Sequence, residues 1–192
     1  VRYSSANEEK TFHADASLGG KKLAWLQSYT VSDFGDMRMG DKYPSKYPDF
    51  GRRSKYMTRI NGIDSVVTND DDRVQRFSGY RQWDITQKLL FKPSTKVSHS
   101  FNFQFSNSNN VPRYDRLQDI RNGTLRYADW YYGPQKRLLG AYELSVATSG
   151  FFNEVRANVN YQDVEESRQT RDYRRYDRFD SRREHIKVWA FT

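Results

Sequence analysis

The chain has 192 residues, a formal net charge of +8 and only 36% hydrophobic residues. Aromatic residues nevertheless make up 16% of it, which excludes a typical disordered protein. No run of about 18 apolar residues is present, so the sequence predicts no transmembrane helix. Cysteine is absent, which excludes disulfides and thiol chemistry.

The first predicted element is a β-hairpin, because apolar residues occupy every second position on both sides of a glycine turn. The turn is Gly19-Gly20. The residues that share the apolar face are Phe12, Ala14, Ala16, Leu18, Leu23, Trp25, Tyr29 and Val31.

The second hairpin contains the most regular strand of the chain. A strand from Gln82 to Phe91, with Trp83, Ile85, Leu89 and Phe91 on one face and Gln87 as an interruption, leads into a turn at 92–94. The return strand, Thr95–Asn107, places Val97, His99, Phe101, Phe103 and Phe105 on one face. The alternating run within it, about eleven residues, suits a tilted strand that crosses a bilayer.

A third hairpin and a further strand follow. Leu138, Gly140, Tyr142, Leu144 and Val146 alternate with polar residues before a turn at Thr148–Gly150, and Phe151, Val155, Ala157, Val159 and Tyr161 continue the pattern after it. Ile186, Val188 and Ala190 begin a seventh strand.

The connections alternate between these three tight turns and three long segments at 33–78, 108–136 and 163–184. Outer-membrane barrels combine short periplasmic turns with long extracellular loops. We therefore expect an all-β fold: an antiparallel up-and-down transmembrane β-barrel portion of about seven strands. The alternative is a soluble or surface β-sheet module that binds an acidic partner, because soluble sheets also alternate and the net charge is positive.

Several motifs resemble, in the same order, TonB-dependent outer-membrane receptors, particularly those of Bacteroidetes-type bacteria. They lie at Gly19–Trp25, Ser32–Gly40, Gly79–Lys88, Val111–Leu117, Gly123–Arg137 and Tyr161–Arg168. The resemblance implies a barrel of about 22 strands in the bacterial outer membrane, filled by a plug domain. Residues 1–192 would be an internal part of that barrel, without the plug and the remaining strands.

The resemblance also implies uptake of an iron-siderophore, haem or cobalamin, with energy supplied through TonB, and neither enzymatic activity nor a cofactor. Expected partners are the plug, TonB, outer-membrane lipid and lipopolysaccharide, and the ligand, but not nucleic acid. By the same resemblance the ligand contacts would be Arg113, Tyr114, Arg116, Trp130, Tyr131 and Tyr132. Two alternatives remain: Trp130–Tyr132 form an aromatic girdle at the lipid headgroups, or Arg113, Asp115 and Arg116 only brace the loop.

Polar residues that alternate with the apolar ones would face the lumen and the plug: Lys96, Asn102, Gln104, Glu143, Glu154 and Arg156. The interleaved charges of 163–184 indicate a solvated, salt-bridged loop rather than a one-sided nucleic-acid arm. Asn69–Asp72 offers oxygen ligands without a calcium-loop spacing and is interpreted as a solvated turn. Of the histidines, His13 falls on the polar face and His99 on the apolar face, while His185 lies at a loop exit and is the one placed to meet a ligand. No metal site is expected.

Overall fold

A computed structural model describes residues 1–42 and 45–192 of the chain, which form antiparallel strands and one short helix. The strands are β1 (Arg2–Ser4), β2 (Glu9–Gly19), β3 (Leu23–Phe34), β4 (Met37–Arg38), β5 (Lys55–Ile60), β6 (Ile63–Thr68), β7 (Val74–Gln75), β8 (Tyr80–Phe91), β9 (Val97–Ser108), β10 (Val111–Pro112), β11 (Ile120–Arg121), β12 (Thr124–Leu125), β13 (Tyr127–Tyr132), β14 (Lys136–Ala147), β15 (Glu154–Asp172) and β16 (Asp180–Phe191). The helix is α1 (Tyr114–Leu117).

Seven long strands build the main sheet, in the chain order β2, β3, β8, β9, β14, β15 and β16. All neighbours in this series pair antiparallel. The expected all-β antiparallel fold and all seven expected strands are therefore confirmed. Among the described residues the sheet is open, with β1 at one edge and β16 at the other.

The register places the expected apolar residues of β2, β3, β8, β9, β14 and β15 on one common face, whereas Phe151 lies in the turn before β15. Phe103 lies opposite Gln87 on one side and Gly140 on the other, and Gly140 lies opposite Tyr161. Because cross-strand partners point to the same side of a sheet, the alternations of successive strands join into one surface. We call this surface the apolar band.

Two glutamines interrupt the apolar band. They lie directly opposite each other, Gln27 on β3 and Gln87 on β8. A third polar residue, His99, is accommodated by its neighbours. Its Nδ1 lies 2.8 Å from the Tyr142 hydroxyl, and its ring stacks between Phe91 and Tyr142.

No second layer covers the apolar band in the described part of the chain. The buried hydrophobic residues, Val74, Tyr114, Leu125 and Trp130, all lie in the long connections. Residues of the apolar band are exposed instead; Phe101 is 46% and Phe103 40% accessible. The small core thus sits at the long-loop end of the sheet and leaves the apolar band bare.

The expectation of a long loop at 163–184 is wrong. β15 continues to Asp172 and β16 begins at Asp180, so only residues 173–179 connect them. Both strands extend beyond the apolar band, where neither face is apolar and the two-residue alternation that marks a strand disappears. Opposite charges help to hold this charged extension together, as between Arg183 and Glu165 at 3.8 Å.

The other two long connections contain structure as well. The 35–79 connection holds the β5–β6 hairpin and the β4–β7 pair, and the 109–135 connection holds β10 to β13 with α1. β13 pairs with the upper part of β15, directly beyond β14. Residues 133–135 form an irregularity between β13 and β14, where the Gly133 amide donates to the Ser167 carbonyl at 3.0 Å.

The expected seventh strand is present as β16, and its pairing shows which of its residues join the apolar band. The register puts Trp189 opposite Tyr161 and Phe191 opposite Val159, so these aromatic residues extend the apolar band. Ile186, Val188 and Ala190 lie on the polar face. The sequence alternates apolar residues on both faces here, and only pairing with β15 decides between them.

Candidate ligand site at the long-loop end

The β5–β6 hairpin of one long connection docks against the upper ends of β13 and β15. Asp64, at the start of β6, is 1% accessible and accepts two hydrogen bonds from the Arg171 guanidinium, at 2.6 and 2.9 Å. Arg171 also donates through Nε to Asp129 at 2.7 Å. The Asp64 amide donates to the Tyr176 hydroxyl at 2.8 Å. These four residues form the rim latch, which joins segments far apart in sequence.

Electrostatics keep the rim latch ionised. Burial alone would raise the pKa of the Asp64 carboxyl, but hydrogen bonds from the Arg171 guanidinium and the Arg174 amide outweigh it and hold that pKa below its ordinary value. The hydrogen bonds that Arg171 donates to Asp64 and to Asp129, with the charges of these two carboxylates, raise the pKa of Arg171. The carboxylate and guanidinium are therefore a buried pair of opposite charges with their hydrogen-bonding groups satisfied.

A cavity of about 300 Å³ lies beside the rim latch, between the β5–β6 hairpin, α1 and β13. Its aromatic and aliphatic walls and its paired charges come from five separate segments of the chain. Among the lining residues are Tyr56, Met57, Arg59, Asp64, Arg76, Phe77, Pro112, Tyr114, Leu117, Asp129, Trp130, Tyr131 and Arg171. This volume is at the lower end of the range for small-molecule sites, and mostly apolar walls with a few polar groups are typical of them.

The Tyr114 hydroxyl, beside the cavity, has no hydrogen-bond partner among the described residues, and the side chain is 8% accessible. Burial raises the pKa of this phenol to about 12, so it stays protonated. The hydroxyl itself has almost no accessible surface, so a ligand in the cavity would meet the rest of the side chain. A ligand with an apolar or aromatic surface would complement these walls.

Phe77 forms part of the cavity wall in an unusual backbone conformation, with φ of +63°. A bulky residue is rarely found in the left-handed region, because its Cβ crowds the backbone there. Its ring, 57% accessible, meets Tyr56 edge-to-face at 5.6 Å. Strained residues of this kind cluster at binding sites.

The structure brings together three of the six expected ligand contacts. Tyr114, Trp130 and Tyr131 line the cavity. Arg113 instead lies over the Trp130 ring, 4.9 Å from its centroid, and donates to Asp115 and to the Tyr132 hydroxyl.

Arg116 pairs with Asp119 at 3.3 Å. Arg113, Tyr132 and Arg116 are thus absent from the cavity wall, and the two arginines brace their loop. Trp130–Tyr132 pair with residues 168–170 of β15, well beyond the end of the apolar band at Tyr161.

Sequence reasoning missed Asp64, Asp129 and Tyr176, and it interpreted Arg171 as one charge among many in a loop. Asp64 and Tyr176 stand in no motif, and Asp129 lies in the Gly123–Arg137 motif without having been identified as a site residue. Asp64 and Arg171 are 107 positions apart. The buried pair exists only after the hairpin has docked.

The three aspartates of the Asn69–Asp72 turn each form an ion pair with an arginine. Asp70 pairs with Arg76 and Asp71 with Arg38, at 2.6 and 2.7 Å, and these contacts lower the pKa of both carboxyls. Asp72 pairs with Arg52 at 2.8 Å. The Asn69–Asp72 turn is therefore cross-linked by arginines. Over residues 1–42 and 45–192, no group of three or more potential ligands is arranged to hold a metal ion.

The histidines have local partners. His13 lies on the polar face, 2.8 Å from the Thr30 hydroxyl. His185 was expected at a loop exit, which is wrong: it lies inside β16, and its Nε2 is 2.6 Å from Asp163.

Five of the six residues expected to face the lumen share the polar face of the sheet. Asn102 and Gln104 on β9, Glu143 on β14, and Glu154 and Arg156 on β15 all lie opposite the apolar band by register. Glu154 and Arg156 form an ion pair at 2.9 Å. The sixth, Lys96, precedes β9 and belongs to the turn.

Comparisons with protein-family models, with curated proteins and with solved structures find no match to this chain. In the part of the chain that the structure describes, no helix has the length and apolar character needed to cross a membrane.

Proposed function

We propose that the chain is a portion of the β-barrel domain of a TonB-dependent outer-membrane receptor that imports a scarce nutrient such as an iron-siderophore, haem or cobalamin. One observation carries the proposal: a continuous apolar face runs across seven paired strands without a protein layer over it in the described residues. Water disfavours such a surface, whereas lipid hydrocarbon matches it.

The dimensions of the apolar band support this environment. On β9 it runs from Val97 to Phe105, about 27 Å along a strand at about 3.4 Å per residue. At a strand tilt near 40° this becomes about 21 Å of height, close to the apolar band of about 25 Å of outer-membrane barrels.

The apolar band is also oblique to the strands. On β8 its upper edge lies at Trp83, which the register aligns with Asn107 of β9. On β16 the upper edge lies at Trp189, which aligns through β15 and β14 with Phe103 of β9, four residues lower. Its lower edge shifts in the same direction. A flat bilayer surface would cut tilted strands at such staggered positions, and this stagger corresponds to a tilt of roughly 25–35°.

The ligand would meet the receptor at the long-loop end, in the cavity beside the rim latch. Tyr56, Phe77 and Tyr131 offer aromatic surface to one flat arm of the ligand. The polar face of the sheet, with Asn102, Gln104 and Glu143, would face the plug.

The proposal is tested by refolding the chain with and without detergent micelles, followed by size-exclusion chromatography. We expect a defined species with a strand-rich circular dichroism spectrum only in micelles, and aggregation in buffer. A monodisperse monomer in buffer would contradict the proposal and favour the soluble sheet module. The transport step is tested separately, by growth of a deletion strain on different iron sources.

A further inference from the structure

The three tight turns lie at one end of the sheet, which we call the short-turn end: residues 19–22, 92–96 and 148–153. They contain Lys21, Lys22, Lys92 and Lys96 and no acidic residue. All four lysines are exposed, and among the described residues none forms an ion pair. At the long-loop end, by contrast, arginines are repeatedly paired with aspartates.

Backbone hydrogen bonds hold the lysines of different turns together. The Lys92 amide donates to the Lys22 carbonyl at 2.7 Å, which makes the first two turns neighbours. The Ala147 amide donates to the Lys96 carbonyl at 2.7 Å, which sets Lys96 beside the third turn. The result is a row of uncompensated cations along the short-turn end.

The third turn adds aromatic surface to this row. Phe151 and Phe152 are 95% and 64% accessible, and their rings meet edge-to-face at 5.0 Å. The apolar band ends immediately above: Leu23 and Phe91, which pair with each other, each directly adjoin a turn lysine in sequence. The order along the strands is therefore apolar surface first and then the lysines, with the two exposed phenylalanine rings in the third turn at the same end.

This order matches the layers of a bilayer surface that carries negative charge. Aromatic residues favour the interface between hydrocarbon and headgroups, and lysines there attract anionic headgroups. We propose that the short-turn end binds the phosphate headgroups of anionic phospholipids in the leaflet that it faces. This inference rests on the proposed function, since it requires the apolar band to lie in a bilayer.

Two tryptophans report on the two ends of the apolar band. Trp25 is near the short-turn end, where it lies opposite Leu89, and Trp83 marks the upper edge. Two single-tryptophan variants, in which the other three tryptophans become phenylalanine, are reconstituted into vesicles. Quenching is measured with brominated phosphatidylglycerol and with brominated phosphatidylcholine, because bromine quenches only tryptophans that its lipid touches.

We expect the anionic lipid to be preferred at Trp25 by at least about fivefold at low salt, since each lysine near the surface contributes up to about that factor. The variant Lys21→Gln/Lys22→Gln/Lys92→Gln/Lys96→Gln should lose this preference, as should the unsubstituted chain at high salt. Trp83 should show no preference for the anionic lipid. Lys10→Gln/Lys55→Gln, which removes two exposed lysines from elsewhere, is the matched control and should leave the Trp25 preference unchanged.

The outcomes separate the two proposals. Equal quenching by both lipids at Trp25, or a preference that survives loss of the four lysines, would overturn the headgroup site while leaving the apolar band in the membrane. If neither lipid quenches either tryptophan, the apolar band does not lie in a bilayer. That result would contradict both the proposed function and the headgroup site.

Discussion

At the scale of single residues, Asp64 is the side chain on which the long-loop end depends most. It is almost fully buried, and Arg171 is its principal partner. Removing one member of a buried ion pair leaves the other charge without compensation, which costs about 3 kcal/mol or more. This cost arises even if the intact ion pair contributes no net stability.

We therefore predict that Asp64→Asn loosens the β5–β6 hairpin without affecting the main sheet. A loss of about 3 kcal/mol would accelerate amide hydrogen exchange in β6 by about 100-fold. Asp70→Asn is the matched control, because that aspartate also pairs with an arginine but is exposed. Equal exchange in the two variants would show that the rim latch does not hold the hairpin.

Gly79 is a second residue with a specific steric role, just before β8. A Cβ added there would lie 2.6 Å from the Phe34 carbonyl oxygen, and backbone cannot move aside cheaply. We predict that Gly79→Ala lowers the free energy of unfolding by about 1–3 kcal/mol. Gly140→Ala, where a Cβ meets open space, should lower it by less. Urea unfolding in micelles measures both; a loss as large at Gly140 would refute the steric explanation.

At the scale of elements, the docked β5–β6 hairpin should respond to pH. The folded pKa of Asp64 lies below the unfolded value of about 3.9. Its contribution to docking is therefore fully present above that value and is lost as pH falls through the folded pKa. We expect exchange protection in β6 to persist from neutral pH to about pH 4 and to fall below it. In Asp64→Asn this pH dependence should be absent; a variant that kept it would point to another group.

Sequence patterns predicted the strands wherever one face is apolar and the other polar. All three hairpins were found this way, from Phe12 to Tyr161. The patterns failed in the upper halves of β15 and β16, where water meets both faces and charge alone suggested a loop. At Ile186–Ala190 they predicted a strand but not its face, because alternation cannot select a face without the partner strand.

The candidate site was only half predictable for a related reason. The aromatic residues Tyr114, Trp130 and Tyr131 stand out in two short motifs, and all three line the cavity. Asp64 and Arg171 meet only through tertiary docking, so no local signal marks them.

At the scale of the whole molecule, the sheet has two chemically different ends. The long-loop end carries a small core, paired charges and a cavity, whereas the short-turn end carries unpaired lysines and exposed phenylalanines. Between them lies the apolar band. We propose that the long-loop end captures the ligand, that the short-turn end meets the headgroups of one leaflet and that the apolar band lies in the hydrocarbon core.

The assignment of the apolar band to hydrocarbon is tested most directly by one pair of substitutions on β9. Phe103 lies in the apolar band and its neighbour Asn102 on the opposite face. We predict that Phe103→Arg lowers the free energy of unfolding in lipid vesicles by about 2–4 kcal/mol, whereas Asn102→Arg changes it by less than about 1 kcal/mol. Equal effects of the two substitutions would contradict the central claim that this face of the sheet lies in a bilayer.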